Sequence, residues 1–232
     1  MNKEVIPYGK HFIDDHDIEA VIDVLKNHPL TQGHFVTSFE EEVAKFVGAK
    51  FAVAMSSWTA GLHMACLAAG VEKKDLVATS PITFVASSNS AFYCQAQPIF
   101  TDINEQTINM CTSELDKTLK ENKSVKVVIP VHFAGLPCDM KSIKEIADKN
   151  GSLIIEDAAH AFGSKFNEKL IGSFGDIICF SFYGIKNITS GEGGCVISSD
   201  KTVMKHIADA RLLSVENDSL NRYQRKRSWN FD

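Results

Sequence analysis

Apolar positions along this chain recur first at helical spacing and later in short continuous runs. Ile18, Val21, Ile22 and Leu25 fall on one side of a 3.6-residue period and predict a helix from about Asp15 to Asn27. A second helix is predicted to begin at Ser38, where Glu41 completes a capping box and Phe39, Val43 and Phe46 form the buried stripe. Beyond it, seven strands are predicted, near Phe51–Ser56, Asp75–Ser80, Pro98–Ile103, Val125–His132, Leu153–Glu156, Ile177–Tyr183 and Cys195–Ser199. Helical stretches at Thr59–Ala69, Phe84–Cys94, Ser113–Glu121 and Met140–Asn150 separate most of them.

Runs such as Val127-Val128-Ile129 and Leu153-Ile154-Ile155 suit strands covered on both faces. Strand–helix alternation implies crossover units, so the fold class is α/β, a mainly parallel seven-stranded sheet flanked by helices. Between Phe180 and Ser199 two strands are joined by a glycine-rich turn without a helix, which predicts one antiparallel strand. A last helix is expected from about Asp200 to Leu213, with a polar stretch after Ser214. There is no internal repeat and no low-complexity segment.

Composition narrows the class of protein. The 232 residues are 44% hydrophobic and 23% charged, enough to bury a sizeable core. The net charge of -5, with both signs interspersed, argues against a nucleic-acid surface, and the basic cluster Arg222 to Arg227 reads as a solvated loop. The six cysteines include no C-x-x-C pair and sit mostly in apolar runs, which points to a reducing compartment. No signal peptide opens the chain and no apolar run is long enough to span a bilayer, so a cytoplasmic protein without a membrane partner is expected. No metal site is expected.

In parallel sheets ligands gather beyond the carboxyl ends of the strands, so the residues there are the candidates for chemistry. After the first strand, Ser56 to Leu62 open a helix whose N-terminus suits a phosphate or is simply capped. Phe84, after the second, is either a core residue or an aromatic face for a planar ligand. Asp157, after the apolar fifth strand, either caps backbone or meets a cation such as a protonated ring nitrogen. His160 follows as a ligand contact or a helix-start histidine. Lys186 lies just past the sixth strand, where desolvation would make its amine a usable nucleophile; a solvated loop lysine is the alternative. A lysine, an aspartate, an aromatic and a phosphate-type helix start, each at a different strand end, are the parts that pyridoxal phosphate (PLP) chemistry requires.

The segments Tyr8-Gly9-Lys10, Leu30 to Gly33, Ser57 to His63, Pro81 to Ala86, Pro130 to Gly135, Glu156 to Ala161 and Ser181 to Gly194 resemble the DegT/DnrJ/EryC1/StrS sugar aminotransferases, fold-type I PLP enzymes. The resemblance runs almost end to end. It implies that residues 1–232 are the PLP-binding large domain with an N-terminal helical segment, and that the smaller C-terminal domain of relatives is absent. It implies that Lys186 carries the cofactor as a Schiff base and shuttles the proton, and that Asp157 keeps the pyridine nitrogen protonated. His160 would lie beside the phenolic oxygen and Phe84 would stack on the ring. Thr59 and Ala60, with the Ser181 hydroxyl, would bind the phosphate. Tyr183 and Thr31 match positions toward the sugar-nucleotide site. Trp58 departs from the small residue usual in relatives, and either packs outward or narrows the cofactor site.

The implied reaction passes an amine from L-glutamate to a ketone on a nucleotide-linked hexose, of the 4-keto-6-deoxy type and in some relatives a UDP-linked N-acetyl sugar. Its product would feed surface polysaccharide such as lipopolysaccharide. A homodimer is implied as well. The family's sugar 3-dehydratases carry histidine where this chain has Lys186, which counts against dehydration. A non-catalytic homologue that binds a partner subunit is the rival from another class. A dehydrogenase-type nucleotide domain would want G-x-G-x-x-G after the first strand, and Ser56 to Leu62 has none.

Overall fold

The computed structural model describes residue 7 and residues 9–212; Tyr8, the expected last turn at Leu213 and the basic cluster Arg222 to Arg227 lie outside the described residues. Helix α1 (Asp15–Asn27) occupies the predicted span, started by a capping box between Asp14 and Asp17. Its apolar face is not buried: Ile18, Val21, Ile22 and Leu25 are all exposed. Periodicity dictates which residues share a face, but only a packing partner buries that face.

Helix α2 (His34–Val47) starts earlier than its expected beginning at Ser38. Gly33 is its N-cap, Ser38 lies inside it, and the expected Ser38–Glu41 capping box does not form. Nothing between Gly33 and Ser38 interrupts helical geometry, so the helix propagates back to the glycine, whose φ of 102° ends it. Val43 is buried as expected, with Ala44 and Val47. Phe39 meets Phe182 edge-on at 5.2 Å, whereas Phe46 stays exposed on one side and stacks on Phe162 at 5.0 Å on the other.

All seven strands form: β1 (Phe51–Met55), β2 (Leu76–Thr79), β3 (Gln97–Phe100), β4 (Val125–Ile129), β5 (Leu153–Asp157), then, after a hairpin of β6 (Lys165–Phe166) and β7 (Lys169–Leu170), β8 (Ile177–Ser181) and β9 (Gly194–Ser198). The two-residue hairpin is too short to leave a periodic signal. The sheet order is β1-β9-β8-β5-β4-β2-β3. Strand β9 is antiparallel to both β8 and β1, and the other pairings are parallel, as the turn without a helix predicts.

Alternate residues of these strands face two different helical layers. Val77, Val127, Ile129, Ile155, Cys179 and Val196 pack under α3 (Trp58–Ala68), α4 (Ala86–Tyr93) and α7 (Lys201–Arg211). Their neighbours Ala78, Val128 and Ile154 pack against α5 (Thr112–Glu121) and α6 (Met140–Asn150), and Ile178, Phe180 and Ile197 against α2. The result is a three-layer sandwich whose central strands are covered on both sides, while the edge strand β3 stays partly exposed. All six cysteines are free thiols, five of them buried in these layers. No described helix is long and apolar enough to cross a membrane.

Candidate active site

The parallel strands deliver their last residues to one edge of the sheet. Asp157 ends β5 on the α3/α4 side, two residues after Ile155. It is buried and its carboxylate is well ordered by donors: Ser87 Oγ from α4 donates to Oδ2 at 2.7 Å and the Ala159 N–H to Oδ1 at 3.2 Å. Among the described residues, no cationic side chain forms an ion pair with it. Burial pushes its pKa up to about 6, opposed by those two hydrogen bonds and by the positive charge of Lys186.

Lys186 sits in the turn after β8, its N–H donating to the Tyr183 carbonyl at 2.9 Å. Its side chain is partly buried, and burial holds the ammonium below the usual lysine value, with Asp157 acting in the opposite sense. The two groups therefore feel each other across neighbouring strands β5 and β8. His160 follows Asp157 in a turn, not at a helix start; partial burial lowers its pKa, and Lys186 lowers it further.

Ser57 caps α3, accepting from the Ala60 N–H at 3.1 Å. Helix geometry leaves the earlier amides of that turn, including Thr59, without an intrahelical acceptor. Ser181, buried at the end of β8, accepts from the Tyr183 N–H at 3.4 Å, and its own hydrogen is uncommitted among the described residues. Phe84 is 68% exposed, which removes the core-residue reading. Tyr183 is exposed at the same rim, and Thr31 is exposed in the turn before α2. The structure thus brings Asp157 and Lys186 into electrostatic range, with Lys186 also acting on His160. Thr31 makes no bond to them among the described residues.

Three features escape sequence reasoning. Trp58 packs inward, not outward: it is buried in the core, its ring centroid 6.1 Å from that of Phe84, and its indole Nε1–H has no partner among the described residues. Ser87 reaches Asp157 across 70 positions of sequence. His132, after β4, bonds Glu156 on the opposite face of β5. Only the serine's place in a helix following a strand end was a usable signal.

Comparison with known proteins agrees with this geometry. The model of the DegT/DnrJ/EryC1/StrS aminotransferase family matches residues 11–230. The chain belongs to that family. It is 38% identical to the spore coat polysaccharide biosynthesis protein SpsC of Bacillus subtilis over 227 residues, covering 98% of this chain and 58% of SpsC. Among solved structures, Helicobacter pylori PseC, an aminotransferase involved in the biosynthesis of pseudoaminic acid, superposes with a TM-score of 0.88 at 27% identity, over 97% of this chain and 59% of PseC. The PMP-form of the sugar aminotransferase Spr1654 from Streptococcus pneumoniae gives a TM-score of 0.89 at 26% identity, over 98% of this chain and 62% of that one. The chain spans a little under three fifths of SpsC.

The family's aminotransferases use PLP, and Spr1654 is known in both PLP and PMP forms. The residues here fit that group. A buried carboxylate with no ion-pair partner and an indole N–H with no acceptor, both among the described residues, together with a partly desolvated lysine, are groups that a charged, phosphorylated pyridine would engage.

Proposed function

We propose that this chain is the PLP-binding large domain of a sugar aminotransferase. The observation that carries the reading is the Asp157–Lys186 pair, a buried carboxylate and a partly desolvated amine at the ends of adjacent strands. Bound there, PLP supplies an electron sink for the carbanion formed when the donor loses its α proton. Asp157 holds a proton on the ring nitrogen by remaining charged. Lys186 would hold the cofactor through its side-chain amine and would serve as the base that takes the proton from the donor's α carbon. The desolvation that lowers its pKa raises the share of free amine available for both tasks.

The open end of α3, with Thr59 and Ala60, and the Ser181 hydroxyl would hold the phosphate. Phe84 would cover one face of the ring, and His160 would lie beside its phenolic oxygen. Tyr183 and Thr31 would face the sugar nucleotide. The acceptor is a nucleotide-linked keto-sugar of the 4-keto-6-deoxy type and the donor L-glutamate; the names of SpsC and PseC support a product destined for surface glycans. The enzyme works in the cytoplasm as a homodimer.

The test is to add PLP to the purified protein, remove the excess, and record the visible spectrum before and after borohydride, beside Lys186→Ala. A visible band fixed by borohydride in the wild type and absent from the variant is expected, with L-glutamate bleaching it. A wild type that retains no cofactor, or a variant that is labelled equally, would overturn the reading.

A further inference from the structure

Three oxygens surround the Ser87 hydroxyl, which has one proton to give. Asp157 Oδ2 is 2.7 Å away, Thr83 Oγ1 2.7 Å and the Phe84 carbonyl 3.1 Å. The ionised Asp157 carboxylate can only accept, so it must take the Ser87 proton. The Thr83 hydroxyl must then be the donor to Ser87 Oγ. The Phe84 carbonyl does not need the hydroxyl, because it already accepts the Ser87 backbone N–H at 3.1 Å. Proton donation therefore runs in one direction, from Thr83 through Ser87 to Asp157. Ser87 is fully buried.

We propose that Ser87 is a positioning residue: its hydroxyl, directed by Thr83, holds the Asp157 carboxylate in place and in its charged form for the cofactor's ring nitrogen. This rests on the cofactor reading above. Ser87 also ties the loop carrying Phe84 to the end of β5, its backbone N–H on the Phe84 carbonyl and its hydroxyl on Asp157, so the ring-covering and ring-nitrogen sides of the site share one anchor. The other titratable groups around Asp157 are Lys186 from the turn after β8, His132 from the end of β4, and the Cys179 thiol of β8, its partner in register. None of these three bonds the carboxylate; among the described residues only Ser87 Oγ and the Ala159 N–H do.

The experiment follows the Asp157 carboxyl carbon by NMR in the full chain without cofactor, using aspartate labelled at the carboxyl and Asp157→Asn to assign the resonance. A charge-assisted hydrogen bond favours the charged form, so Ser87→Ala is expected to raise the Asp157 midpoint by about one pH unit. Ser87→Cys, which keeps the volume with a weak donor, should also raise it. Thr83→Val should raise it less, and Ser87→Thr should restore the wild-type midpoint. The same series should weaken PLP binding in the same order, about tenfold for Ser87→Ala.

A Ser87 that only packs would leave the midpoint unchanged in both Ser87→Ala and Ser87→Cys, and that result overturns the proposal. Ser87→Cys and Thr83→Val carry the test if Ser87→Ala does not fold. A midpoint that moves while the wild type shows no borohydride-fixed band would sustain the hydrogen-bond relay and refute the cofactor reading instead.

Discussion

His132 Nε2 lies 2.8 Å from a carboxylate oxygen of Glu156, and solvent reaches neither side chain. The Cys138 N–H points at the other ring nitrogen, Nδ1, at 3.0 Å, so that atom must be the acceptor and the proton sits on Nε2, given to Glu156. The Gly175 N–H donates to the second Glu156 oxygen. This cluster fastens the loops before α6 and β8 to the face of β5 opposite Asp157, while the His132 N–H donates to the Asp157 carbonyl at 3.0 Å. Removing one member of a buried pair strands the other. His132→Ala is expected to cost about 3–5 kcal/mol in urea unfolding at neutral pH, and adding Glu156→Gln should return part of it. A loss below about 1 kcal/mol would show that water replaces the imidazole.

Asp157 sets a pH dependence of stability in the protein without cofactor. Its pKa of about 6 lies above the ordinary value of 3.8, so between those values the folded protein holds a proton that the unfolded chain has released. Stability from this group therefore falls as pH rises through that window, by about 2–3 kcal/mol, and stays lost above it. Asp157→Asn is neutral throughout. It should be more stable than the wild type at pH 7 and equal to it near pH 4, as read by denaturant melts at several pH values. Parallel melts at both ends of the range would refute the assignment.

Gly194 starts β9 against the backbone that opens α3. A Cβ there would lie 2.5 Å from the Trp58 nitrogen and 2.6 Å from the Ser57 carbonyl carbon, both immobile atoms. Gly194→Ala should lower stability by about 1–3 kcal/mol and, by displacing the α3 start, weaken PLP binding at least tenfold. Thermal melts and a PLP absorbance titration check the two effects separately; unchanged affinity would detach the α3 start from the cofactor.

Trp58 offers an optical report on the site. It is buried beside Phe84 with an N–H unpartnered among the described residues, and the chain has one other tryptophan, Trp229. PLP should quench Trp58 emission in the wild type, and Trp58→Phe should abolish most of that response in a fluorescence titration. Equal quenching in the variant would place the cofactor away from α3.

Much of this architecture was legible in local pattern. Element type follows from apolar period and from runs such as Leu153 to Ile155, so the seven strands, the antiparallel β9 and the span of α1 could be read along the chain. Asp157 and Lys186 stood out for the same reason, as polar groups directly behind apolar strands. What the chain alone could not show is which strands become neighbours. The order β8-β5-β4-β2 brings α4 over the end of β5, and this lets Ser87 meet Asp157 and, on the other face, His132 meet Glu156. Burial was also a tertiary outcome. Trp58 is buried because it joins the core between the sheet and its helices, whereas the apolar face of α1 stayed exposed because no described element covers it. Periodicity is a property of a segment, but pairing and burial belong to the segments it packs against.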